Sequence, residues 1–147
     1  MTFQEDLNII RWKLHLKSPP EVVYQILSTD RGRASFWAES AVEQDKTIDF
    51  VFPNQAEWKG RILERAQPRK FVVEYYGGSI TTFELSSDDS GGTELTLTDQ
   101  GISEAERVEV IAGWVSVLMA LKASVDFGID LRNHDPKRTW DQDYVEN

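Results

Sequence analysis

Residues 103–127 read SEAERVEVIAGWVSVLMALKASVDF, and they carry the strongest structural signal in the chain. Ser103 followed three residues later by Glu106 is typical of a capping box at the start of a helix. The apolar side chains beyond it recur at helical spacing: Val110, Ile111, Trp114, Val117, Leu118, Leu121 and Val125. Gly128 suits a helix C-terminus. We therefore predict one long helix, which must bury its apolar arc against the rest of the chain.

The chain before this helix alternates apolar and polar residues, which is typical of antiparallel strands with one buried face. The alternating sets are Ile10, Trp12, Leu14 and Leu16; Ile48, Phe50 and Phe52; Trp58, Gly60 and Ile62; Phe71, Val73 and Tyr75; Thr81, Phe83 and Leu85; and Leu95, Leu97 and Asp99. Turn residues separate them at Pro53-Asn54, at Gly77-Gly78 and in residues 88–92. This pattern predicts a meander of six or seven strands.

A second helix signal, Ser18-Pro19-Pro20-Glu21, follows the first strand and also fits a capping box. Its apolar side would be Val22, Val23, Ile26 and Leu27. A break at residues 30–32 and one more turn at 33–37 would complete one or two short helices. We predict an α+β fold in which the sheet curves around the long C-terminal helix and encloses a cavity. One domain would cover residues 1–147, with a core at about 8–130 and a polar tail at 131–147.

Composition narrows the classes of function. The net charge of -9 repels phosphate backbones, so we expect no nucleic-acid partner. The first residues lack the basic-then-apolar order of a signal peptide, and we find no apolar run of the roughly 20 residues that a membrane span needs. The chain has no cysteine. We expect a cytoplasmic protein without membrane insertion.

Aromatic side chains dominate the predicted inner face of the sheet. We expect a hydrophobic ligand to bind in a cavity of several hundred cubic ångströms (order of magnitude). The residues expected to line this cavity are Trp37, Phe50, Phe52, Trp58, Phe71, Tyr75, Phe83, Asp99 and Trp114, with Leu118 and Leu121 from the helix. The alternative interpretation is an ordinary packed core, because aromatic side chains bury large areas in any protein.

Asp99 shares a face with Leu95 and Leu97, where an apolar residue is expected. A buried carboxylate there could orient a ligand or act as an acid or base. We prefer the alternative, in which the strand ends first and Asp99 is solvated. His15 and His134 are placed too far from the cavity for catalysis, and no cluster has the spacing of metal ligands. We expect no metal, no cofactor and no catalytic residue, with Asp99 as the single weak candidate.

The back of the long helix carries small residues: Ala112, Gly113, Ser116, Ala120 and Ala123. Small residues on an exposed face suggest that something packs there, and the alternative is that alanine is simply a strong helix former. We expect either a homodimer or the tail, whose Trp140 and Tyr144 could fill the space, with Trp140 at least half buried.

Several motifs, taken in order, resemble the START-related superfamily, which includes the birch-pollen-allergen fold. They are SPPEVVYQIL (18–27), GRILE (60–64) followed by PRKFV (68–72), TELTLT (93–98) before Gly101, and Gly113-Trp114 with Leu118 and Leu121. The similarity covers about residues 8–130. It is greatest to the branch homologous to the C-terminal domain of the heat-shock protein 90 ATPase activator. The resemblance implies a helix-grip fold.

The resemblance implies less about function, because members bind lipids, sterols, hormones or polyketides and a few are cyclases or hydrolases. The activator's chaperone-engaging domain has no counterpart here. We expect binding of a small hydrophobic or amphipathic molecule without catalysis. The alternatives are a cyclase- or dehydratase-type enzyme that uses a buried carboxylate, and a stress-related protein-interaction module. A well-packed interior would favour the last of these.

Overall fold

The computed structural model describes residues 3–147 and contains one antiparallel sheet of seven strands. The strands are β1 (Ile9–Leu16), β2 (Ser40–Gln44), β3 (Thr47–Val51), β4 (Glu57–Ala66), β5 (Lys70–Glu74), β6 (Ile80–Ser87) and β7 (Thr93–Gln100). Their spatial order is β1-β7-β6-β5-β4-β3-β2, so β2 through β7 form a meander and β1 pairs with the last strand. The predicted meander and the number of strands, six or seven, are confirmed, but β2 lies in none of the six predicted alternating runs.

Three helices accompany the sheet. They are α1 (Pro20–Ser28), α2 (Asp30–Ala34) and α3 (Arg107–Phe127), and short 3-10 turns lie at Tyr76–Gly78, Glu104–Glu106 and Trp140–Gln142. Helix α3 lies against the inner face of the curved sheet and buries Trp114, Leu118 and Leu121. The α+β helix-grip fold is therefore confirmed, with two short helices after the first strand.

Strand register brings the predicted inner residues side by side. Phe50 on β3 lies opposite Trp58 on β4, and Phe83 on β6 lies between Phe71 on β5 and Leu97 on β7. Gly60 on β4 permits this packing, because a Cβ atom there would lie 2.9 Å from both the Phe50 ring and a Val73 methyl group. The period-two pattern thus places the aromatic side chains on one face of the sheet.

The two predicted capping boxes are wrong in detail. Pro19 occupies the N-cap of α1, and Ser18 instead donates its hydroxyl to Asp126 Oδ1 and the Val125 carbonyl at the far end of α3. Ser103 makes no capping hydrogen bond to the backbone, and its hydroxyl binds the Glu106 carboxylate. Ser18 makes a tertiary contact instead of a cap, whereas Ser103 keeps a local contact with the side chain of Glu106 instead of a backbone N–H.

The short helices also depart from prediction. Helix α1 buries Val23, Tyr24 and Leu27, whereas Val22 remains 46% exposed. Residues 30–32 were predicted to interrupt the helix, but they form the start of α2. The Thr29 hydroxyl caps this helix by accepting from the Gly32 N–H. The two helices therefore follow one another with one residue between them.

The segment Glu104–Phe127 is long and apolar enough to cross a membrane. This contradicts the expectation that no such run exists in the sequence. In the structure the same helix packs on the sheet, where Trp12 Nε1 donates to the Ile111 carbonyl at 3.3 Å.

Candidate functional site

Trp37 lies at the centre of a network of aromatic rings between the sheet and α3. Its ring centroid is 4.8 Å from Phe50, 5.3 Å from Tyr75, 5.4 Å from Phe83 and 5.9 Å from Trp114. Trp37 lies in the loop between α2 and β2, and this loop places its indole over the middle of the sheet. The structure thus brings together rings from β3, from β6, from α3 and from the residue that follows β5.

The network continues to the surface at one end of the sheet. The rings of Phe52 and Trp58 lie 4.3 Å apart, and Trp58 lies 5.7 Å from Tyr75. Trp140 from the tail packs edge-on against Phe52 at 5.6 Å. The side chain of Tyr76 covers the other side of Trp58 at 4.9 Å. A continuous path of rings therefore joins the solvent to the interior.

The remaining predicted lining residues are also buried. Phe71 contacts Phe83 at 6.4 Å and, edge-on, Tyr24 of α1 at 6.2 Å. Leu118 and Leu121 of α3 belong to the same core cluster. Every residue in the predicted set thus lies in one connected cluster.

Asp99 is buried, which contradicts the preferred expectation that it is solvated. Strand β7 continues to Gln100, and the side chain of Asp99 is 1% exposed. Thr81, directly opposite on β6, donates its hydroxyl to Oδ1 at 2.9 Å. Trp114 Nε1 donates to Oδ2 at 2.8 Å. Burial raises the pKa of Asp99, and these two hydrogen bonds partly oppose that rise.

Tyr75 places a second polar group among the rings. Its hydroxyl oxygen accepts a hydrogen bond from Trp37 Nε1 at 3.0 Å. Burial raises the pKa of Tyr75, and the nearby Asp99 carboxylate adds to the rise. The phenol therefore stays neutral and retains its own proton for donation.

Two buried polar atoms near these groups make no well-aligned hydrogen bond within residues 3–147, although one lies close enough to Tyr75 and the other to Asp99 to lower the pKa of that group. They are Trp58 Nε1 and Ser79 Oγ. Most buried polar atoms in proteins are paired, because an unpaired one costs about 1–3 kcal/mol. The interior thus combines an aromatic wall with a carboxyl, a phenol and two unsatisfied polar atoms.

Two depressions lie outside this network. One of about 260 Å³ is bounded by α1, α2 and the end of α3, and its walls include Ile26, Arg31 and Ser124. Another of about 390 Å³ lies beside β5, β6 and β7, and its walls include Arg69, Glu84 and Thr96. In this conformation the aromatic side chains fill the space where the cavity was expected.

The tail does not dock where it was expected. Trp140 is 37% exposed, which confirms that it is at least half buried, but it packs on Phe52. Asn54 Nδ2 also donates to Asp141 Oδ2 at 3.0 Å. On the small face of α3, Ala120 is buried and Gly113 is exposed.

The histidines contact carboxylates away from the ring network. His15 Nε2 lies 2.7 Å from Asp88, and His134 lies between Glu39 at 2.6 Å and Asp130 at 2.7 Å. Within residues 3–147, no group of three or more acidic, histidine or cysteine side chains could hold a metal ion.

Sequence reasoning missed several members of the interior. Phe36 stacks on Trp37 at 5.8 Å, and Ser79 and Thr81 provide the polar surroundings of Asp99. Thr81 was already placed on the inner face of its strand, so its pairing with Asp99 could have been found from strand register. Phe36 gave no comparable signal because it lies in a loop.

Comparison with known proteins agrees with this architecture. Residues 17–126 match the family model described as Activator of Hsp90 ATPase homolog 1-like protein. A solved structure of protein CV1439 from Chromobacterium violaceum is 26% identical, with a TM-score of 0.65, over 81% of this chain and 98% of that one. No curated protein matches the chain.

Two further solved structures are similar in fold. The Aha1 dimer from Colwellia psychrerythraea is 21% identical, with a TM-score of 0.73, over 82% of this chain and 97% of that one. DynU16, a protein in the dynemicin biosynthetic locus, is 14% identical, with a TM-score of 0.70, over 82% of this chain and 48% of that one.

Proposed function

The chain belongs to the family of Activator of Hsp90 ATPase homolog 1-like proteins, and from that premise we propose that it binds a small hydrophobic or amphipathic molecule between the sheet and α3. The observation that carries the proposal is the set of polar groups inside the aromatic network. A core that served stability alone would gain from apolar side chains at these positions, since burying a carboxyl is costly. Tyr75 and Trp58 Nε1 are better accounted for as ligand contacts, with Asp99 holding the Trp114 ring beside them.

The lining suggests the chemistry of the ligand. Flat rings around Trp37 favour a flat aromatic molecule, which would stack in place of a side chain. The Tyr75 hydroxyl can donate to a keto or hydroxyl oxygen, and Trp58 Nε1 can donate to a second one. A hydroxylated polycyclic compound meets these requirements better than a fatty acid.

Binding requires the interior to open, because its rings are in contact. The end formed by Phe52, Trp58 and Trp140 is the most accessible part of the network. Trp140 comes from the tail and is more than one-third exposed. We propose that a ligand displaces Trp140 and then Trp58, while the rings nearer the centre adjust around it.

A catalytic role for Asp99 is less well supported. Both of its oxygens already accept hydrogen bonds, from Thr81 and from Trp114. A general acid or base needs an oxygen directed at the reacting group. We therefore assign Asp99 to positioning Trp114 within the lining rather than to chemistry.

A protein-interaction function is the second candidate. The observation that favours it is the dense packing of the rings, which resembles a core more than an open cavity. It requires no movement of the interior. The two candidates differ in whether any small molecule binds with saturation.

Calorimetric titration with a long-chain fatty acid, a sterol and a hydroxylated anthraquinone tests the proposal. We expect the anthraquinone to bind with saturation and Tyr75→Phe to weaken binding about tenfold, the value of one hydrogen bond. Tyr144→Phe removes a hydroxyl from a partly exposed tail residue and serves as the matched control with unchanged affinity. If none of the three compounds binds, the ligand proposal fails and the protein-interaction candidate replaces it.

A further inference from the structure

The outer edge of β1 is bound by side chains rather than by another strand. Strand β1 lies at one end of the sheet and pairs with β7, so the backbone groups of every second residue point away from the sheet. The Gln4 side-chain oxygen accepts from the Arg11 N–H at 3.0 Å, and Gln4 Nε2 donates to the Arg11 carbonyl at 2.5 Å. One carboxamide thus makes both of the hydrogen bonds that the opposite residue of an antiparallel strand would make.

Two cations mark the ends of the accessible part of this edge. Arg107 Nη2 donates to the Ile9 carbonyl at 3.3 Å, and Lys122 Nζ donates to the His15 carbonyl at 2.5 Å. Between these ends, the outward N–H and C=O of Lys13 make no hydrogen bond with any group in residues 3–147. The accessible edge therefore matches about five residues of an extended chain.

A strand added at this edge would have one side next to unpaired positive charges. Arg11 and Lys13 project from the outer face of the sheet, opposite Thr98 and Thr96 of β7. Neither cation forms an ion pair with any side chain that the structure describes. Two unpaired cations on one strand are a local exception in a molecule with a net charge of -9. Acidic side chains on the added strand would lie directly across from them, where opposite charges attract.

The other side of an added strand would face α3. Trp12 Nε1 donates to the Ile111 carbonyl, so this part of α3 lies next to β1. On an ideal helix, Val115 lies about 40° around the axis from Ile111 and about 20° from Lys122, which also contacts β1. The side chain of Val115 is 42% exposed, and the ring of Trp12 is partly buried. The two side chains provide apolar surface for every second residue of the added strand.

We propose that β1 binds an extended peptide of alternating apolar and acidic residues as an eighth, antiparallel strand. The peptide takes the place of the Gln4 side chain and pairs with the outward groups of Arg11 and Lys13. In a five-residue peptide, the second and fourth residues are acidic and lie opposite Lys13 and Arg11, while the other three face α3. Backbone hydrogen bonds supply the affinity and the alternating side chains supply the specificity. The site lies outside the aromatic network and does not depend on ligand binding in the interior.

Peptide titrations followed by NMR test the pairing. We expect acetyl-Val-Glu-Val-Glu-Val-amide to shift the backbone amide signals of Arg11 and Lys13 with saturation. Acetyl-Val-Lys-Val-Lys-Val-amide should bind about tenfold more weakly because its charges repel those of β1. Equal affinity of the two peptides, or no saturable shift with the acidic one, would overturn the proposal.

Methylation of single peptide nitrogens separates strand addition from other modes of binding. Methylating the backbone nitrogen of either glutamate removes a donor that faces β1 and should weaken binding about tenfold. Methylating the nitrogen of the central valine is the matched control, because that N–H points away from β1, and it should change the affinity little. Equal losses for the two modifications would overturn the proposed pairing.

Gln4→Ala tests whether the N-terminal segment competes with the peptide. Removing the carboxamide frees the backbone groups of Arg11, so we expect this variant to bind the acidic peptide severalfold more tightly than wild type. Gln44→Ala makes the same change at an exposed residue of β2, at the opposite end of the sheet, and should bind as wild type does. Weaker binding by Gln4→Ala would overturn the competition. Shifts at Trp58 and Tyr75 in place of β1 would put the peptide in the interior and overturn the edge site.

Discussion

The buried carboxyl of Asp99 lowers the stability of the fold but places a polar group at a fixed position in the interior. Its strand neighbours Leu95 and Leu97 are fully buried, and the same alternation carries the carboxyl inward. Hydrogen bonds from Thr81 and Trp114 recover only part of the cost of removing a carboxylate from water. The position is thus a polar group held in an apolar site, which is common where a protein binds something.

Asp99→Asn tests how the charge of Asp99 affects the stability of the fold. Because burial raises the pKa of Asp99, the carboxylate opposes folding increasingly as pH rises above the unfolded value near 4. We expect the neutral amide to increase the free energy of unfolding by about 1 kcal/mol at pH 7 and to change it little at pH 3. Urea unfolding at the two pH values measures this. A loss of stability at pH 7 would show that the charged form is the one the fold requires.

Trp114→Ala tests whether α3 is held by its aromatic contacts. The indole is 3% exposed and touches Trp37, Tyr75 and Phe83. Removing it leaves a cavity, so we expect a loss of about 3–5 kcal/mol in unfolding free energy. Trp140→Ala, at a partly exposed position, is the matched control and should cost about 1 kcal/mol. Equal losses in the two variants would contradict the central role of Trp114.

The sequence predicts the identity of these inner residues better than their surroundings. Alternation along β3 to β7 places Phe50, Tyr75 and Phe83 on the inner face, as the structure shows. The burial of Asp99 could not be decided in this way. It depends on whether α3 packs over the end of β7, which it does where Trp114 donates to Asp99. That contact is a long-range property.

At the level of elements, the tail is attached to the domain mainly by polar contacts. Arg132 donates to the carbonyls of Ala34 at 2.7 Å and Ala38 at 2.9 Å, beside α2. His134 bridges Glu39 and Asp130. These contacts precede Trp140 in the sequence. They fix the segment of the tail that places Trp140 against the ring network. The tail was expected on the small face of α3. Its actual position depends on its polar partners, which are distant in sequence and could not be identified from the sequence.

The attachment of the tail depends on pH. Burial lowers the pKa of His134, but hydrogen bonds to Asp130 and Glu39 outweigh this effect and raise it above its usual value. Burial likewise opposes the hydrogen bonds from Arg132 that bring the pKa of Asp130 to about 2, so Asp130 stays charged. The stabilisation is therefore fully present below the unfolded histidine value near 6.5 and is lost as pH rises through the raised one.

Hydrogen exchange of residues 138–144 measures this dependence. We expect protection of the tail, corrected for the intrinsic exchange rate, to decrease between pH 6 and pH 8.5 in wild type. His134→Gln should show lower protection and a flat profile over that range. The same pH dependence in both proteins would rule out His134 as its source.

The ends of the helices differ in how well the local sequence predicts their hydrogen bonds. Gly128 ends α3 in the left-handed conformation at φ 65°, as its position predicts. At the start of α1, however, Asp126 accepts hydrogen bonds from the Lys17 and Ser18 backbone N–H groups and joins that start to the end of α3. A glycine C-cap depends on local backbone geometry, whereas the serine contacts depend on how elements 100 residues apart come together.

At the scale of the whole molecule, the fold provides a sheet that curves around one helix and an interior where side chains from distant strands meet. The order of helix and strand signals was enough to predict this architecture. The filling of the interior was not predictable from the sequence, because it depends on the rotamers of Trp37, Trp58 and Tyr75. The family assignment agrees with this fold but does not identify a ligand, so ligand binding is a proposal.

The indole N–H signals of the five tryptophans, followed by NMR during titration with a hydroxylated anthraquinone, test the central claim most directly. If the ligand enters between sheet and helix, the signals of Trp37, Trp58, Trp114 and Trp140 shift with saturation. Trp12 donates to the Ile111 carbonyl at the sheet edge and should stay unchanged as the internal control. If the four signals do not move, or if all five move equally without saturation, the interior is a closed core and the ligand-binding account is wrong.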